Sequence, residues 1–420
     1  MDEIIAEGKT AKQLRKEKED RIHKTIRLEI PDRVPIICGM GYFPGKNAGV
    51  PSSAAYYDHE TWFNAYKMTL RDFQADLIYP QMPSPGKAME ILQLKTMRWP
   101  GYGVDEYKGH QSIEIEAMNS EDWDEYLSDT ANYMLRKFMP RTSDKLAGLA
   151  KLPDLAGLMG GGGAQMLGMA MADPDVSLAL ETLTAYGKEA RKHMEVSMKF
   201  SQMMQDMGHP TYFQGAAMPP YDMISHSLRG MQGTMIDLYR NPDKILAAID
   251  KILKRALSNP MPPPSENGYI RLFMTNTRGS DDFLSNKLFE KFYWPSFKKV
   301  IETMVERGAT MCVFFEGNFT KKLEYLLELP KGEMIVRLDT TDIYKAKEIL
   351  KGHLCIQGNV PSSLLQTGTV DDVKTYCKKL IDDIGKDGGF ILSPRSSTDE
   401  VKPANLKAMI DFTHEYGVYN

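Results

Sequence analysis

Short apolar runs alternate with longer amphipathic stretches along most of the chain. Runs rich in β-branched and aromatic residues predict strands, and the amphipathic stretches between them predict helices. The predicted strands cover residues 34–38, 76–80, 211–215, 269–274, 310–316, 333–339, 353–358 and 389–393. Eight strands, each followed by a helix, favour an α/β fold of the (β/α)8 TIM-barrel type, with a doubly wound open sheet as the alternative.

Three predicted helices in the second half carry end signals. They cover residues 285–308, 342–352 and 369–385. Gly308, Gly352 and Gly385 stand where helix C-caps are expected, and Thr369 followed by Asp372 resembles a capping box. These signals place one helix before the fifth strand and one on each side of the seventh.

Two segments exceed what a minimal barrel needs. Residues 9–27 alternate basic and acidic side chains, which predicts an exposed helix; we assign residues 1–30 to an N-terminal helical extension and residues 31–420 to the barrel. Residues from about 83 to 205 form an insertion between the second and third strands, which we expect to build a lid or a partner surface at the barrel mouth. At its end, the spacing of Met194, Met198, Met203 and Met207 predicts a helix face buried against the barrel.

Composition narrows the class of protein. Of the 420 residues, 42% are hydrophobic and 26% are charged, and no apolar run is long enough to cross a bilayer, so we expect no membrane partner. The formal net charge of −4 offers no basic surface for a nucleic acid. The first residues lack the apolar region of a secretory signal, and the four cysteines form no CxxC pair. We therefore expect a cytoplasmic protein with reduced, buried thiols.

Polar residues follow several predicted strands at the point where each strand ends. The active sites of α/β barrels are built from these carboxyl ends. The candidates are Gln81, Asn276, Arg278, Glu316, Asp339, Asn359, Ser393 and Arg395. Glu316 follows four apolar residues, which predicts a partly desolvated carboxylate with a raised proton affinity, or a metal ligand. Asp342 is better placed than Asp339 to cap the next helix, which leaves Asp339 free for the site.

Several longer segments carry a family resemblance. The second half contains SDDFLSNKLFEKFYWPSFKKVI, RLDTTDIYKAKEIL, IQGNVPSSLL and GGFILSPRSS followed by PANLKAMID, and the first half contains PDRVPI, GYFPGKNAG, ADLIYPQMPSPG and DLYRNPDKILAAIDKIL. Together these segments resemble the uroporphyrinogen decarboxylase and corrinoid methyltransferase superfamily over most of the chain. The resemblance implies a (β/α)8 barrel, in agreement with the strand count.

The sequence departs from two branches of that superfamily. Where true decarboxylases carry arginines that clamp the porphyrin carboxylates, the matching positions hold Ile37 and Gly41. The decarboxylase aspartate that gathers the pyrrole nitrogens falls at Gln81, and the late histidine falls at Ser396. The positions that resemble the zinc ligands of the thiol methyltransferases of methanogens hold Phe314, Glu316 and Ser396. The resemblance therefore argues against uroporphyrinogen decarboxylation and for a harder, oxygen-rich site.

The remaining branch resembles the substrate-side methyltransferases of corrinoid-dependent O-demethylases. The resemblance implies transfer of a methyl group from a methoxylated aromatic, or a similar small donor, to Co(I) on a separate corrinoid protein. Glu316 would be the general acid or a zinc ligand, and Asp339 would orient it or share the metal. The residues expected to bind or wall the substrate are Tyr42, Phe43, Tyr79, Gln81, Met82, Asn276, Arg278, Asn359 and Arg395. Zinc remains optional in this interpretation, and a homodimer is compatible with it.

Other functions stay open at this point. The same fold accommodates another methyl donor, such as an amine, a thioether or a halide. A decarboxylase or lyase acting on a small carboxylate is a further alternative. A non-catalytic corrinoid or tetrapyrrole carrier is the third, because known catalytic positions have been replaced. Replacement by Glu316 and Ser396 rather than by apolar residues argues against a dead site.

Overall fold

The computed structural model describes residues 4–6, 8–159 and 161–419; residues 1–3 and 7 of the predicted N-terminal extension lie outside this part. The strands are β1 (Ile4–Ala6), β2 (Lys9–Thr10), β3 (Ile37–Gly41), β4 (Leu77–Pro80), β5 (Met97–Pro100), β6 (Gly103–Val104), β7 (Gln111–Ser112), β8 (Gly215–Ala216), β9 (Ile270–Asn276), β10 (Ala309–Phe315), β11 (Met334–Leu338), β12 (Cys355–Val360) and β13 (Phe390–Pro394).

The α-helices are α1 (Ala11–Ile26), α2 (Phe43–Ala48), α3 (Ala54–Tyr57), α4 (His59–Asp72), α5 (Gly86–Leu92), α6 (Trp123–Ser128), α7 (Thr130–Tyr133), α8 (Met139–Thr142), α9 (Gly163–Met171), α10 (Pro174–Asp206), α11 (Pro220–Met223), α12 (Gly230–Arg240), α13 (Pro242–Ser258), α14 (Asn286–Leu288), α15 (Trp294–Glu306), α16 (Ile343–Leu350), α17 (Ser362–Thr367), α18 (Val370–Leu380) and α19 (Pro403–Tyr416). Tighter 3₁₀ turns cover Ser120–Asp122, Asp144–Lys151, Ala156–Leu158 and Thr320–Glu328, and π turns cover Met134–Phe138, Ile224–Leu228, Phe289–Tyr293 and Ile381–Gly385.

The eight predicted barrel strands are all present, as β3, β4 and β8 to β13. Strands β8 to β13 form one parallel sheet in sequential order, and β3 pairs in parallel with β4. A parallel bridge between Ile36 and Leu392 links this pair to β13. The sequential order confirms the (β/α)8 barrel, because a doubly wound sheet reverses direction at a switch point.

The ring of strands is open along one seam. Within the described residues no ladder joins β4 to β8. The rings of Tyr212 and Phe213 instead pack across the seam against Tyr79, each with ring centroids 5.7 Å apart. Aromatic contacts therefore replace backbone hydrogen bonds between the second and third barrel strands.

Strand β8 is also much shorter than the predicted strand over residues 211–215. The cause is the buried Arg271 at the start of β9. Its Nε donates to the carbonyl oxygen of Tyr212 at 2.8 Å, and its Nη2 donates to that of Thr211 at 2.5 Å. These carbonyl groups bond a side chain rather than a neighbouring strand, so the ladder begins only at Gly215.

Helix α1 closes the amino end of the barrel. Ile22 and Ile26 pack on the lowest layer of inward-facing side chains. That layer consists of Ile37, Leu77, Tyr212, Cys312, Ile335, Cys355 and Ile391. The charged pattern over residues 9–27 predicted an exposed helix, and this is wrong for one face: Lys18, Glu19 and His23 are buried there.

The insertion between β4 and β8 is largely helical. Its longest element, α10, packs against α5 and the turn Asp144–Lys151. Met203 is buried, but Met194 and Met198 are each 62% exposed, so the predicted buried methionine face is wrong in its first half. The buried positions of α10 lie near its two ends, which leaves its middle turns without a barrel surface to cover.

Most of the predicted helix ends are confirmed. Thr369 and Asp372 form the capping box of α18, Asp342 caps α16, and Gly308 and Gly352 adopt left-handed backbone conformations. Gly385 does not, because a π turn continues α18 through this residue. The four cysteines are free and buried, as predicted. No helix in the described ranges is long and apolar enough to span a membrane.

Candidate active site

A cavity of about 470 Å³ opens at the carboxyl ends of the barrel strands. Five of the predicted site residues line it: Tyr42, Tyr79, Gln81, Glu316 and Asp339. The other lining residues are Gly39, Gly41, Pro80, His110, Phe273, Thr275, Phe314, Arg337, Ser396, Ser397 and Asp399. The volume is within the range of small-molecule sites, and the walls combine aromatic rings with few polar groups.

Glu316 and Asp339 follow neighbouring strands, β10 and β11, at the mouth of the cavity. Asp339 Oδ2 accepts a hydrogen bond from the backbone N–H of Gly317 at 3.0 Å, so this carboxylate fixes the turn that carries Glu316. Gly317 has φ +94°, a conformation that favours glycine. Thr277 Oγ1 donates to Glu316 Oε2 at 3.0 Å. The Glu316 side chain is exposed, so the expected partial desolvation is wrong; it lies beyond the last paired residue of its strand.

Arg337 lies deeper in the cavity, on the same inward face of β11 as Asp339 two residues later. It is only 9% exposed, and its guanidinium carbon lies 4.3 Å from the centroid of the Phe314 ring. No carboxylate of the described chain forms an ion pair with it. Its Nη2 makes a long 3.5 Å hydrogen bond to the carbonyl oxygen of Arg395, and its Nε has no partner among the described groups. The cavity floor therefore holds a cation with largely unused donors.

A second polar group lies on the opposite wall. The Tyr42 hydroxyl is 2.8 Å from that of Tyr56 and 2.9 Å from His110 Nδ1. Burial lowers the pKa of His110 below its ordinary value and raises that of Tyr42. At neutral pH the imidazole is therefore neutral and the phenol protonated, an arrangement that can pass a proton along the hydroxyl pair.

Asp399 adds a third carboxylate to the mouth. Its Oδ1 accepts the backbone N–H of Tyr42 at 2.6 Å. The same oxygen lies where a Cβ on Gly41 would stand, and Gly41 has φ +46°. Only glycine satisfies both conditions without displacing Asp399, so no arginine can occupy this position of the decarboxylase pattern.

The structure places the other predicted site residues outside this cavity. Phe43 is fully buried against Phe73, and Met82 lines a separate cavity of about 280 Å³ along the open seam. Asn276 is buried, with its Oδ1 accepting from the Tyr293 hydroxyl at 2.6 Å. Asn359 is also buried, and its Nδ2 donates to the carbonyl oxygen of Asp339 at 3.4 Å. These two amides support the strand ends.

The two predicted arginines also lie apart from the cavity lining. Arg278 pairs with Glu114 from the insertion and stacks over Phe283. Arg395 donates its backbone N–H to the Val360 carbonyl oxygen at 2.8 Å. Neither arginine is among the residues that line the cavity, although the Arg395 carbonyl oxygen bonds Arg337.

A buried carboxylate supports the loop that reaches Glu316. Asp222 accepts the backbone N–H groups of Thr277 at 3.0 Å and Arg278 at 3.1 Å, and its Oδ2 lies 3.0 Å from the Tyr293 hydroxyl. Burial raises the pKa of Asp222 to about 6. Since Thr277 then bonds Glu316, Asp222 is a positioning residue for the mouth of the cavity.

The predicted zinc site does not fit the residues present. Glu316 and Asp339 offer oxygen donors, and His110 is engaged with Tyr42 on another wall. Zinc in proteins is typically held by three or four nitrogen, sulfur or oxygen ligands. Among the described residues, no group of three or more His, Cys, Asp or Glu side chains is arranged to hold a metal ion.

Sequence reasoning missed Arg337, His110, Thr277 and Asp399. A signal existed for Arg337, a lone cation in the apolar run EMIVRLD and two residues before Asp339. His110 and Asp399 belong to loops, and only the packing of the insertion against the last barrel loop brings them together.

The fold and the site define a (β/α)8-barrel protein with a small-molecule cavity at the carboxyl ends of its strands. A family model for uroporphyrinogen decarboxylase (URO-D) matches residues 175–416, more than half of the chain. The chain therefore belongs to the uroporphyrinogen decarboxylase family. The match begins at α10 and includes the six strands β8 to β13.

Two relatives extend this comparison. The chain is 26% identical over 152 residues to the methylcobamide:CoM methyltransferase MtbA of Methanosarcina acetivorans, which covers 36% of this chain and 43% of that protein. The match thus spans less than half of the length of this curated relative. A solved methyltransferase structure from Methanosarcina mazei has a TM-score of 0.59 at 13% identity, over 95% of this chain and 98% of that one. This second likeness supports the fold.

Proposed function

We propose that the protein is a corrinoid-dependent methyltransferase that moves a methyl group from a methoxylated aromatic donor to Co(I) of a separate corrinoid protein. The observation that carries the proposal is the pair of carboxylates, Glu316 and Asp339, above an aromatic cavity at the barrel mouth. Similarity to a relative named as a methylcobamide:CoM methyltransferase supports the reaction class. The aromatic walls favour an aromatic donor over an amine or a halide.

The carboxylates suit the hard step of this reaction. The methyl carbon–oxygen bond breaks, its electron pair stays on the phenolic oxygen, and Co(I) supplies both electrons of the new cobalt–carbon bond. The oxygen gains charge in the transition state, and a proton donor lowers the barrier. In this proposal Glu316, which is exposed at the mouth, takes up a proton from solvent and passes it to this oxygen, while Asp339 holds the Gly317 turn and thereby the position of Glu316.

The surroundings of the site support the same proposal. The mouth is open to solvent, which the cobalt face of a corrinoid requires, and the exposed methionines Met194 and Met198 offer an apolar surface to a partner or to a second copy in a homodimer. Four free, buried cysteines are compatible with a reducing cytoplasm.

The test is anaerobic methyl transfer. Purified protein is mixed with Co(I) cobalamin and one donor from a panel of methoxyarenes, methylamines and methyl thioethers, and the Co(I) spectrum is followed as it converts to that of methyl-Co(III). We expect conversion with methoxyarenes, and a loss of at least about 100-fold in rate for Glu316→Gln. Glu306→Gln, an exposed carboxylate on α15, is the matched control. Undiminished turnover by Glu316→Gln contradicts the assigned role, and no conversion with any donor contradicts the proposed reaction.

A second candidate is a decarboxylase or lyase that acts on a small carboxylate. It is favoured by one observation, the buried guanidinium of Arg337, which has no carboxylate partner in the described chain. Release of CO2 from an aromatic or aliphatic carboxylate, without cobalamin, would support this candidate over methyl transfer.

A further inference from the structure

The strongest unexplained feature of the cavity is the cation in its floor. Arg337 is more than nine-tenths buried, lines the cavity, and has one long hydrogen bond to a carbonyl oxygen in the described structure. The two other buried arginines of the described chain each have a carboxylate partner: Arg271 pairs with Glu19, and Arg229 pairs with Asp237. A buried charge without a partner is costly, so its retention points to a ligand that completes it.

The shape of the Arg337 environment selects the ligand further. The guanidinium carbon lies over the Phe314 ring, 4.3 Å from its centroid, and a guanidinium presents its N–H donors as a rigid fork along an edge. Phe273 and Tyr79 line the same space, with ring centroids 5.6 Å apart. A planar carboxylate can accept two parallel hydrogen bonds from such an edge, while the adjoining ring lies against the aromatic walls.

The charges of the cavity also set the direction of the ligand. The cavity is lined by the positive charge of Arg337 at its floor and by the carboxylates of Glu316, Asp339 and Asp399 at its mouth. An anionic group of a ligand is attracted to Arg337 and repelled by the three carboxylates. The bound ligand therefore has this group at the floor and its other end at the mouth. The Cα atoms of Arg337 and Asp339 are two strand residues apart, about 6.6 Å, so the two side chains leave the strand at successive levels of its inward face. A benzene ring with substituents at opposite ends presents one substituent to each of two such levels.

We propose that Arg337 binds the carboxylate of an aromatic acid whose opposite substituent reaches Glu316 and Asp339 at the mouth. This inference deepens the proposed function and names its substrate class: a methoxylated benzoate, held with its carboxylate inward and its methoxy group toward the corrinoid. The binding site itself does not depend on which reaction follows.

The test is direct binding, measured by calorimetry with the whole protein and without cobalamin. The probes are 4-methoxybenzoate and its neutral isostere 4-methoxybenzamide. We expect the benzoate to bind at least about tenfold more tightly than the amide, since hydrogen bonds to charged groups exceed neutral ones. Arg337→Gln should lose at least about tenfold in benzoate affinity and leave amide affinity unchanged.

Two further variants make the result specific. Arg337→Lys keeps the charge without the planar fork, and we expect an intermediate affinity. Arg307→Gln removes an arginine at the opposite end of β10, where it bonds the carbonyl oxygens of Leu257 and Asn259, and should bind the benzoate like the wild type. Because Arg337 has no carboxylate partner, its removal leaves no unpaired charge and relieves the cost of a buried one, so Arg337→Gln should have a urea midpoint equal to or above that of the wild type.

The outcomes separate the two proposals. Equal affinities for benzoate and amide, no measurable binding of either, or wild-type benzoate affinity in a folded Arg337→Gln variant would overturn the inference. Arg337-dependent benzoate binding supports it, and if methyl transfer is then absent from the anaerobic assay, only the proposed reaction fails.

Discussion

Replacing Arg271 by methionine tests what holds the amino end of the barrel closed. The guanidinium is fully buried and connects three elements. Its Nη2 pairs with Glu19 Oε1 of α1 at 2.6 Å, its Nη1 lies 3.1 Å from His23 Nε2, and its other bonds reach the carbonyl oxygens of Thr211 and Tyr212 beside the open seam. Methionine fills a similar volume and makes none of these bonds.

The magnitude follows from the carboxylate left behind. Glu19 is 1% exposed and keeps only its bonds to Ser265 and Asn267 when Arg271 is removed. Breaking a buried ion pair by removing one partner typically costs about 3–5 kcal/mol. Domains are commonly stable by about 5–15 kcal/mol, so the loss should lower the urea midpoint by a large fraction.

The assay is urea denaturation followed by circular dichroism and tryptophan fluorescence. Combining Arg271→Met with Glu19→Leu removes the orphaned carboxylate, and we expect the double variant to recover at least about 2 kcal/mol relative to the sum of the single changes. Lys16→Met is the control, because its pair with Asp20 on the same helix is exposed, and the midpoint should not move. A loss below about 1 kcal/mol in Arg271→Met, or strict additivity, would refute the reasoning.

Three further predictions use the same measurement at different positions. Burial raises the pKa of Asp222 from 3.8 to about 6. The stability that this residue contributes is therefore full below pH 3.8 and is lost as the pH rises through 6. The free energy of unfolding of the wild type, relative to that of Asp222→Asn, should fall by up to about 3 kcal/mol between pH 3.8 and 7. Burial and Arg271 lower the pKa of His23 from 6.5 to about 3, so its contribution is present above pH 6.5 and lost as the pH falls through 3; urea midpoints from pH 7 to 4 should decline more steeply for wild type than for His23→Gln. Gly41→Ala should lower the free energy of unfolding by more than the about 1–2 kcal/mol of left-handed strain alone, because its Cβ meets Asp399. Gly49→Ala, with φ +69° and open space around it, measures the strain alone. Equal losses of stability in the two variants would contradict the contact with Asp399.

The barrel could be predicted because its interior strands are nearly continuous apolar runs. The bounds of β10 and β11 match the predicted strands within one or two residues. β8 could not be predicted to its true length, since the carbonyl groups before it bond a side chain 60 residues away. The buried face of α1 was also hidden, because Glu19 and His23 find their partner, Arg271, 252 and 248 positions later.

The candidate site was predictable where a strand end fixes a position. Glu316 and Asp339 could be placed at the mouth from the strand pattern alone. Asn276 is one position out of phase with Phe273 and Thr275, which line the cavity, and Phe43 begins α2 and is buried in the core. The contribution of His110 and Asp399 depends on how the insertion packs against the last loop, and no local periodicity encodes that packing.

The position of the cation decides between a small ligand and a tetrapyrrole in this cavity. A tetrapyrrole with several carboxylates would face Glu316, Asp339 and Asp399 at the mouth and would be repelled by all three. No arginine on β3 offsets this repulsion, because Gly41 and Asp399 occupy the space. Arg337 is buried on the inward face of β11 beside Phe314, so it does not offset the carboxylates that follow the strand ends. A corrin edged by neutral amides meets no such repulsion at the mouth. We therefore expect uroporphyrinogen to bind poorly, whereas the inward carboxylate and the corrinoid partner that we propose both fit this distribution of charge.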